Sequence, residues 1–239
     1  MNIVMDTHVH TIASGHHTTD TLRDIVFAAK NKGLICTAVT DHAPKMLGAA
    51  SESYFMNLKF CDKIKYGIRV LYGAELNVFN TAGEVDLSFE ILKTLDFAIA
   101  SLHKDIFRPQ SKENNTQALM NAMKNPYVSI IGHPADSAFP LDYNLLTDKA
   151  KETGTVLELN SVDVSPCGYR ESDKTGLKFM LELCKKKGVY VSLGSDSHGR
   201  EHVGDFNESL KLLESLNFPE ELVANTDVNK FMKIINAKR

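Results

Sequence analysis

At 239 residues, 43% hydrophobic and 24% charged, the chain has the composition of a folded globular protein with a sizeable core, in one large domain or two small ones. A net charge of −3 argues against a dedicated duplex nucleic-acid binder, no apolar run nears the roughly 18 residues of a membrane span, and Met1-Asn2-Ile3-Val4-Met5-Asp6 lacks the layout of a signal peptide. Cys36, Cys61, Cys167 and Cys184 form no CxxC pair and read as reduced thiols, so a cytoplasmic setting is expected.

The first strand is expected over 2–6. Leu22, Ile25, Val26 and Ala29 then recur at the i, i+3, i+4, i+7 spacing of a half-buried helix, with Thr19 or Asp20 as its cap and Gly33 at its left-handed end. Strand over 36–42 and helix over 52–66 follow, then strand over 69–76 and a short helix over 87–95. Next come strand 96–103 and helix 116–124, strand 127–134 and helix 145–153, strand 155–161 and helix 176–187. The last strand covers 189–198, and helices over 207–215 and 228–235 complete the chain. These are seven β-then-α units with no linker, low-complexity segment or composition break, so residues 1–239 read as a single domain. Strict alternation predicts a parallel sheet with helical crossovers, and strands apolar along their whole length predict that both faces are covered.

The polar residues choose between an open sheet and a barrel. Six of the nine histidines fall at or just after the C-terminal end of an expected strand: His8, His10, His42, His103, His133 and His198. Glu75 and Asp196 hold similar places. Only a barrel gathers every strand's C-terminal end at one mouth, so the expected fold is an α/β, distorted seven-stranded (β/α)7 TIM-like barrel. His8 and His10, two apart on a strand, share a face, and Asp196 and His198 repeat that spacing. Imidazole with carboxylate is the ligand set of Zn²⁺, Mn²⁺ and Fe²⁺, and a carboxylate such as Glu75 can bridge two cations. Taken singly, each histidine reads more readily as a hydrogen-bonded packing or loop residue than as a ligand; the joint pattern is what points to metal. One of His16 and His17 can reach the mouth from the first loop. His202 reads as a surface or supporting histidine, and Asp41 as a residue that supports His42 without ligating.

In this order, "DTHVHT", "TDH", "GAE", "SLH", "GHP" and "GSDSH" resemble the PHP family, named for its polymerase and histidinol phosphatase members, over essentially the whole chain. The segments "NNTQALM" and "LESLNFPEELVAN" are similar to its compact YcdX-like phosphatase branch. That resemblance implies a trinuclear metal site, with zinc first and manganese or iron as alternatives. His8, His10, Glu75 and Asp196 would hold one ion, Glu75 with His103 and His133 a second, and His16, His42 and His198 the third. The resemblance favours His16 over His17 and implies that members can form trimers.

The function expected on this basis is hydrolysis of a small phosphate monoester by metal-activated water, with Glu75, Asp196 and His198 catalytic through the ions they hold. Arg108, in the loop after His103, is the expected phosphate-binding cation, with Lys104 next. The rivals are a phosphodiesterase or 3′-exonuclease, a histidinol phosphatase, and a metal-binding protein without turnover. The loops over 43–52, 104–115, 134–142 and 162–173 are long enough to shape the pocket and set the substrate.

Overall fold

In the computed structural model, which describes residues 1–239, short strands alternate with helices. The first half comprises β1 (Met5–Asp6), α1 (Leu22–Asn31), β2 (Cys36–Val39), α2 (Glu52–Asn57), β3 (Ile64–Lys65), β4 (Ile68–Asn77), α3 (Phe89–Leu92), β5 (Phe97–Ser101) and α4 (Lys112–Ala122). The second half comprises β6 (Val128–Ile131), α5 (Tyr143–Thr153), β7 (Val156–Asn160), α6 (Ser161–Val164), α7 (Lys174–Lys187), β8 (Val191–Gly194), α8 (Asn207–Ser215) and α9 (Val228–Asn236). Seven strands pair in parallel in the order β1-β2-β4-β5-β6-β7-β8 and curl into a nearly closed barrel, as the sequence led us to expect.

The seam between β8 and β1 is closed by backbone at the top and by side chains below, where Thr7 Oγ1 donates to Leu193 O (2.9 Å) and Asp6 Oδ1 accepts from Ser195 N (3.0 Å). At the top, Val9 bridges Ser197, with Asp196 N donating to His8 O and His10 N to Ser197 O, both at 2.9 Å. Below, no ladder forms. Instead the Asn225 side chain donates to Met5 O (2.8 Å) and Leu193 O (2.9 Å) and accepts from Leu193 N (3.1 Å), so one amide stands in for a missing strand contact.

Two apolar cores flank the staves. A larger one of 51 buried residues lies between staves and helices. The second, of 12, joins Met5, Cys36, Ala38, Leu71, Phe97, Ile99, Ile130 and Val156 of the strands to Ala224, Val228, Phe231 and Ile235. In β4, Leu71 and Glu75 share a face because side chains alternate. The barrel interior therefore runs from an apolar floor, plugged by α9 with Phe231 edge-on to Phe97 at 5.3 Å, up to a polar mouth.

Several boundaries differ from the expected ones, each for a local reason. The helix expected over 52–66 ends at Asn57. Beyond it, Lys65 pairs with Ile68 across a two-residue turn whose Tyr66 and Gly67 both lie in the left-handed region (φ 53° and 85°), which makes β3–β4 a hairpin. The α1 helix is capped by Thr21, not Thr19 or Asp20: Asp24 Oδ2 accepts from Thr21 N (2.9 Å) and Oγ1 (2.7 Å). Gly33 takes the left-handed place expected of it (φ 80°). Helices α4, α5 and α7 begin about half a turn or more before their apolar period starts, after Ser111, Asp142 and Asp173, whose side chains accept from first-turn N–H groups. No helix is long and apolar enough to cross a membrane.

Candidate metal centre

Every strand end that was expected to carry a ligand reaches the mouth. His8, His10, His42, Glu75, His133 and Asp196 are buried, and His103 and His198 nearly so. Glu75 sits at the centre. Its Oε1 lies 3.0 Å from His133 Nε2, 3.2 Å from His103 Nε2 and 3.4 Å from His8 Nε2. Its Oε2 lies 2.7 Å from His42 Nδ1 and 3.5 Å from His10 Nε2. Asp196 Oδ1 faces the same space, 3.2 Å from His10 Nε2 and 3.6 Å from His8 Nε2. His16 packs over His42 and His198, with ring centroids 4.8 and 5.2 Å apart, and His17 lies 4.7 Å from His16.

Outer contacts aim the rings. Asn77 Nδ2 donates to Ala43 O and Asp86 Oδ2, so its Oδ1 is free to accept from His103 Nδ1 at 2.7 Å. Ser14 Oγ donates to Asp41 Oδ1 (2.7 Å) and accepts from His42 N (3.2 Å), which leaves it one lone pair for His10 Nδ1 at 2.9 Å. His198 Nδ1 donates to Asp196 O at 3.1 Å, and His8 Nδ1 to Glu158 Oε1 at 2.8 Å. In these four rings the Nδ1 proton is spoken for and Nε2 is the free position. Asp41 supports the site from outside, as expected, accepting from Thr11, Ser14 and Tyr54.

A metal accounts for what remains. His8 Nε2, His10 Nε2, His42 Nδ1, Glu75 Oε2 and His198 Nε2 are buried without a hydrogen-bond partner, His42 Nδ1 and Glu75 Oε2 approaching to 2.7 Å but out of line for a bond, a cost that buried polar groups seldom carry. Ligand atoms of His8–His10–Glu75, His42–Glu75–His103, His10–His42–His198 and His16–His17–His198 each lie within 4.8 Å of one another. The donor set is imidazole and carboxylate, so the residues fit divalent transition metals. His133 (φ 29°), Asp196 (φ 54°) and His17 (φ 57°) hold left-handed backbone that L residues seldom adopt, and such strain gathers at functional sites.

Burial and neighbouring charges compete at these side chains. Burial opposes ionisation of Glu75, yet His103, His42 and His8 hold its carboxyl well below the usual range. Burial likewise opposes Asp196, and His8 with Arg170 overrides it. Burial and the neighbouring His42, His198 and His17 push His16 down to about 4, so it stays a neutral donor.

The mouth opens into a cavity of about 560 Å³ lined by the cluster together with His17, Met46, Leu47, Lys104, Tyr169 and Arg170. Arg108 lies off this lining. Ile106 N and Phe107 N both return to His103 O, burying Phe107 and leaving Arg108 exposed outside. Lys104 is on the wall, and His202 is exposed and away from it. Sequence reasoning missed Arg170 and Glu158. Arg170 Nη2 meets Asp196 Oδ2 at 2.5 Å and Nη1 meets Asp163 Oδ1 at 3.3 Å; burial works against its charge, but these two carboxylates hold it well above the ordinary arginine value. It lies in the 162–173 loop already marked as pocket-forming. A larger open groove of about 760 Å³ beside α1, lined by Arg23, Phe27 and Arg200 among others, contains no histidine.

The sequence model of the PHP domain matches residues 6–196. Over 240 residues the chain is 42% identical to a protein of Caldanaerobacter subterraneus named a probable phosphatase, covering all of this chain and 93% of that protein. A protein of Acetivibrio thermocellus with the same description is 41% identical over 239 residues, covering all of this chain and 98% of that protein. Among solved structures, histidinol phosphate phosphatase of Lactococcus lactis, in complex with zinc, L-histidinol and phosphate, superposes with a TM-score of 0.61. The overlap covers 90% of this chain and 94% of that one, and at 18% identity the likeness speaks for the fold.

Proposed function

The chain belongs to the PHP domain family, and from that premise we propose that it is a metal-dependent phosphatase that hydrolyses monoesters of small phosphorylated substrates. The observation that carries this reading is the set of five buried, unpartnered nitrogen and oxygen atoms converging at one mouth, among them His8 Nε2, His10 Nε2 and Glu75 Oε2. His8, His10, Glu75 and Asp196 would hold one cation, Glu75 with His103 and His133 a second, and His16, His42 and His198 a third. Zinc suits this donor set first, and manganese or iron next. When bound, such ions supply Lewis acidity toward phosphoryl oxygens and bring the pKa of water to about 7.

The chain's own groups do the rest. Glu75 and Asp196 bring negative charge to the centre and balance the cations. The fixed Nδ1–H tautomers spare the site any reorganisation of ligands as charge develops. Arg170, clamped by Asp196 and Asp163, keeps unused N–H donors on the cavity wall for a phosphate oxygen, and Lys104 adds a second positive charge. With four unpaired cysteines, a reducing cytoplasm suits the protein. Residues 1–239 act as one unit in this reading, because Asn225 and α9, beyond the matched segment, complete the barrel.

Elemental analysis of purified protein, paired with hydrolysis of an aryl phosphate before and after chelation, tests the proposal. Three metals per chain, with activity lost on chelation and regained on adding metal back, is the expected result. Full occupancy with cleavage of a labelled oligonucleotide but of no monoester would instead establish the nuclease.

A further inference from the structure

β7 is the one barrel strand that offers no ligand to the centre. His8 and His10 follow β1, His42 follows β2, Glu75 is on β4, His103 follows β5, His133 follows β6, and Asp196 and His198 follow β8. Yet the upper inward positions of β7 are Glu158 and Asn160, both fully buried, where an apolar residue would be the stabilising choice. No lysine or arginine pairs with the Glu158 carboxylate. It accepts from three donors: His8 Nδ1 on Oε1 at 2.8 Å, and His133 N (2.7 Å) and Asn160 Nδ2 (2.9 Å) on Oε2. Asn160 Nδ2 also reaches Asp196 Oδ2 at 3.2 Å. The opposing strand makes room for this group. A Cβ at Gly194 would lie 2.1 Å from Glu158 Oε1 and 2.6 Å from His8 Cβ, so glycine there is the condition for the pair to form.

We propose that Glu158 is a positioning residue of the metal centre. It holds His8 with the proton on Nδ1, so that the Nε2 lone pair is presented to the space beside Glu75 and Asp196. Through Oε2 it also fixes the left-handed backbone of His133, a ligand of the neighbouring cation. One carboxylate thereby sets the geometry of two metal positions from a strand that touches neither. Only an acceptor-only group serves all three donors. A glutamine must turn its NH₂ toward His8, driving the ring to the opposite tautomer, or toward His133 N and Asn160, losing those contacts. This inference rests on the metal-centre reading above.

Zinc affinity of the metal-free protein, measured by competition with a chromophoric chelator, is the first readout. Glu158→Gln is expected to weaken zinc binding about 10–100-fold, a loss read on the folded metal-free variant and so separate from the lower stability that its unpaired buried donors cause; Glu158→Asp, which keeps the charge, falls between the two. The visible spectrum of the Co²⁺-loaded protein should change in the Gln variant. Nitrogen-15 NMR of the zinc-loaded wild type needs no substitution and should find His8 protonated at Nδ1. Affinity and spectrum unchanged in Glu158→Gln to within about twofold, or a loaded wild type with His8 protonated at Nε2, would overturn the proposal. A wild type that binds no zinc at all would instead bring down the metal-centre reading itself.

Discussion

Five imidazole nitrogens lie within 3.5 Å of the two carboxylate oxygens of Glu75. Removing one charge there would unbalance both cations that Glu75 is proposed to share, so Glu75→Gln is expected to lower phosphate-ester hydrolysis by more than about 100-fold. The loss should exceed the 10–100-fold typical of an outer partner, and steady-state kinetics at saturating metal checks it. The cysteines offer a control remote from that chemistry. Burial pushes the Cys36 and Cys184 thiols up to about 12, so at pH 8 only on the order of 10⁻⁴ of each is thiolate. An alkylating reagent at that pH is expected to modify Cys167 and, more slowly, Cys61, leaving Cys36 and Cys184 untouched until denaturant is added; mass spectrometry of peptides reads this directly. At this scale His8, His10, His42, Glu75, His103, His133, Asp196 and His198 were legible in the sequence because strand-end position and residue type point the same way. Arg170 was not, because an irregular loop has no period from which to read direction. Glu158 was not, because a single carboxylate in an apolar run is silent about its partners.

Two elements carry distinct mechanical duties. Helix α9 floors the barrel, and Phe231→Ala would open a cavity between it and Phe97, at a cost of about 3–5 kcal/mol in chemical unfolding. The β3–β4 hairpin turns on Gly67, where an added Cβ meets nothing within 4 Å. Gly67→Ala therefore isolates the conformational term and should cost about 1–2 kcal/mol, with hydrolysis unchanged, since the turn is far from the mouth. Strands and main helices were readable from alternation and the 3.6-residue period. The hairpin was not, because Ile64–Lys65 is too short to show a period of its own and sits inside an apparently helical run. Helix starts were displaced for a related reason: first turns capped by Ser111, Asp142 and Asp173 are polar and carry no apolar signal.

For the molecule as a whole, the centre ties six of the seven barrel strands together at one end. Each cation that binds only the folded chain stabilises it by about 2.7 kcal/mol when present at 100 times its dissociation constant. In a domain of this size that corresponds to a rise in Tm of roughly 5–10 °C per bound cation. Chelation should lower Tm by at least that amount, with recovery on adding zinc, as calorimetry would register. The global fold was readable because seven alternations and ligand-type residues on six strand ends have one common solution. How the barrel closes was not, since the Asn225 side chain replaces backbone pairing and leaves no pattern of strands to find.

That closure also fixes an order of events in the life of the chain. The first strand finds its neighbour across the seam only when β8 has been made, and the amide that staples the two arrives later still, at residue 225. A polypeptide still being synthesised can pair β1 through β7, but His8 and His10 must wait for Asp196 and His198. The chain upstream of β8 is therefore an unlatched scaffold, and the cluster that joins His8 and His10 to Asp196 is complete only after β8 and its staple have been made.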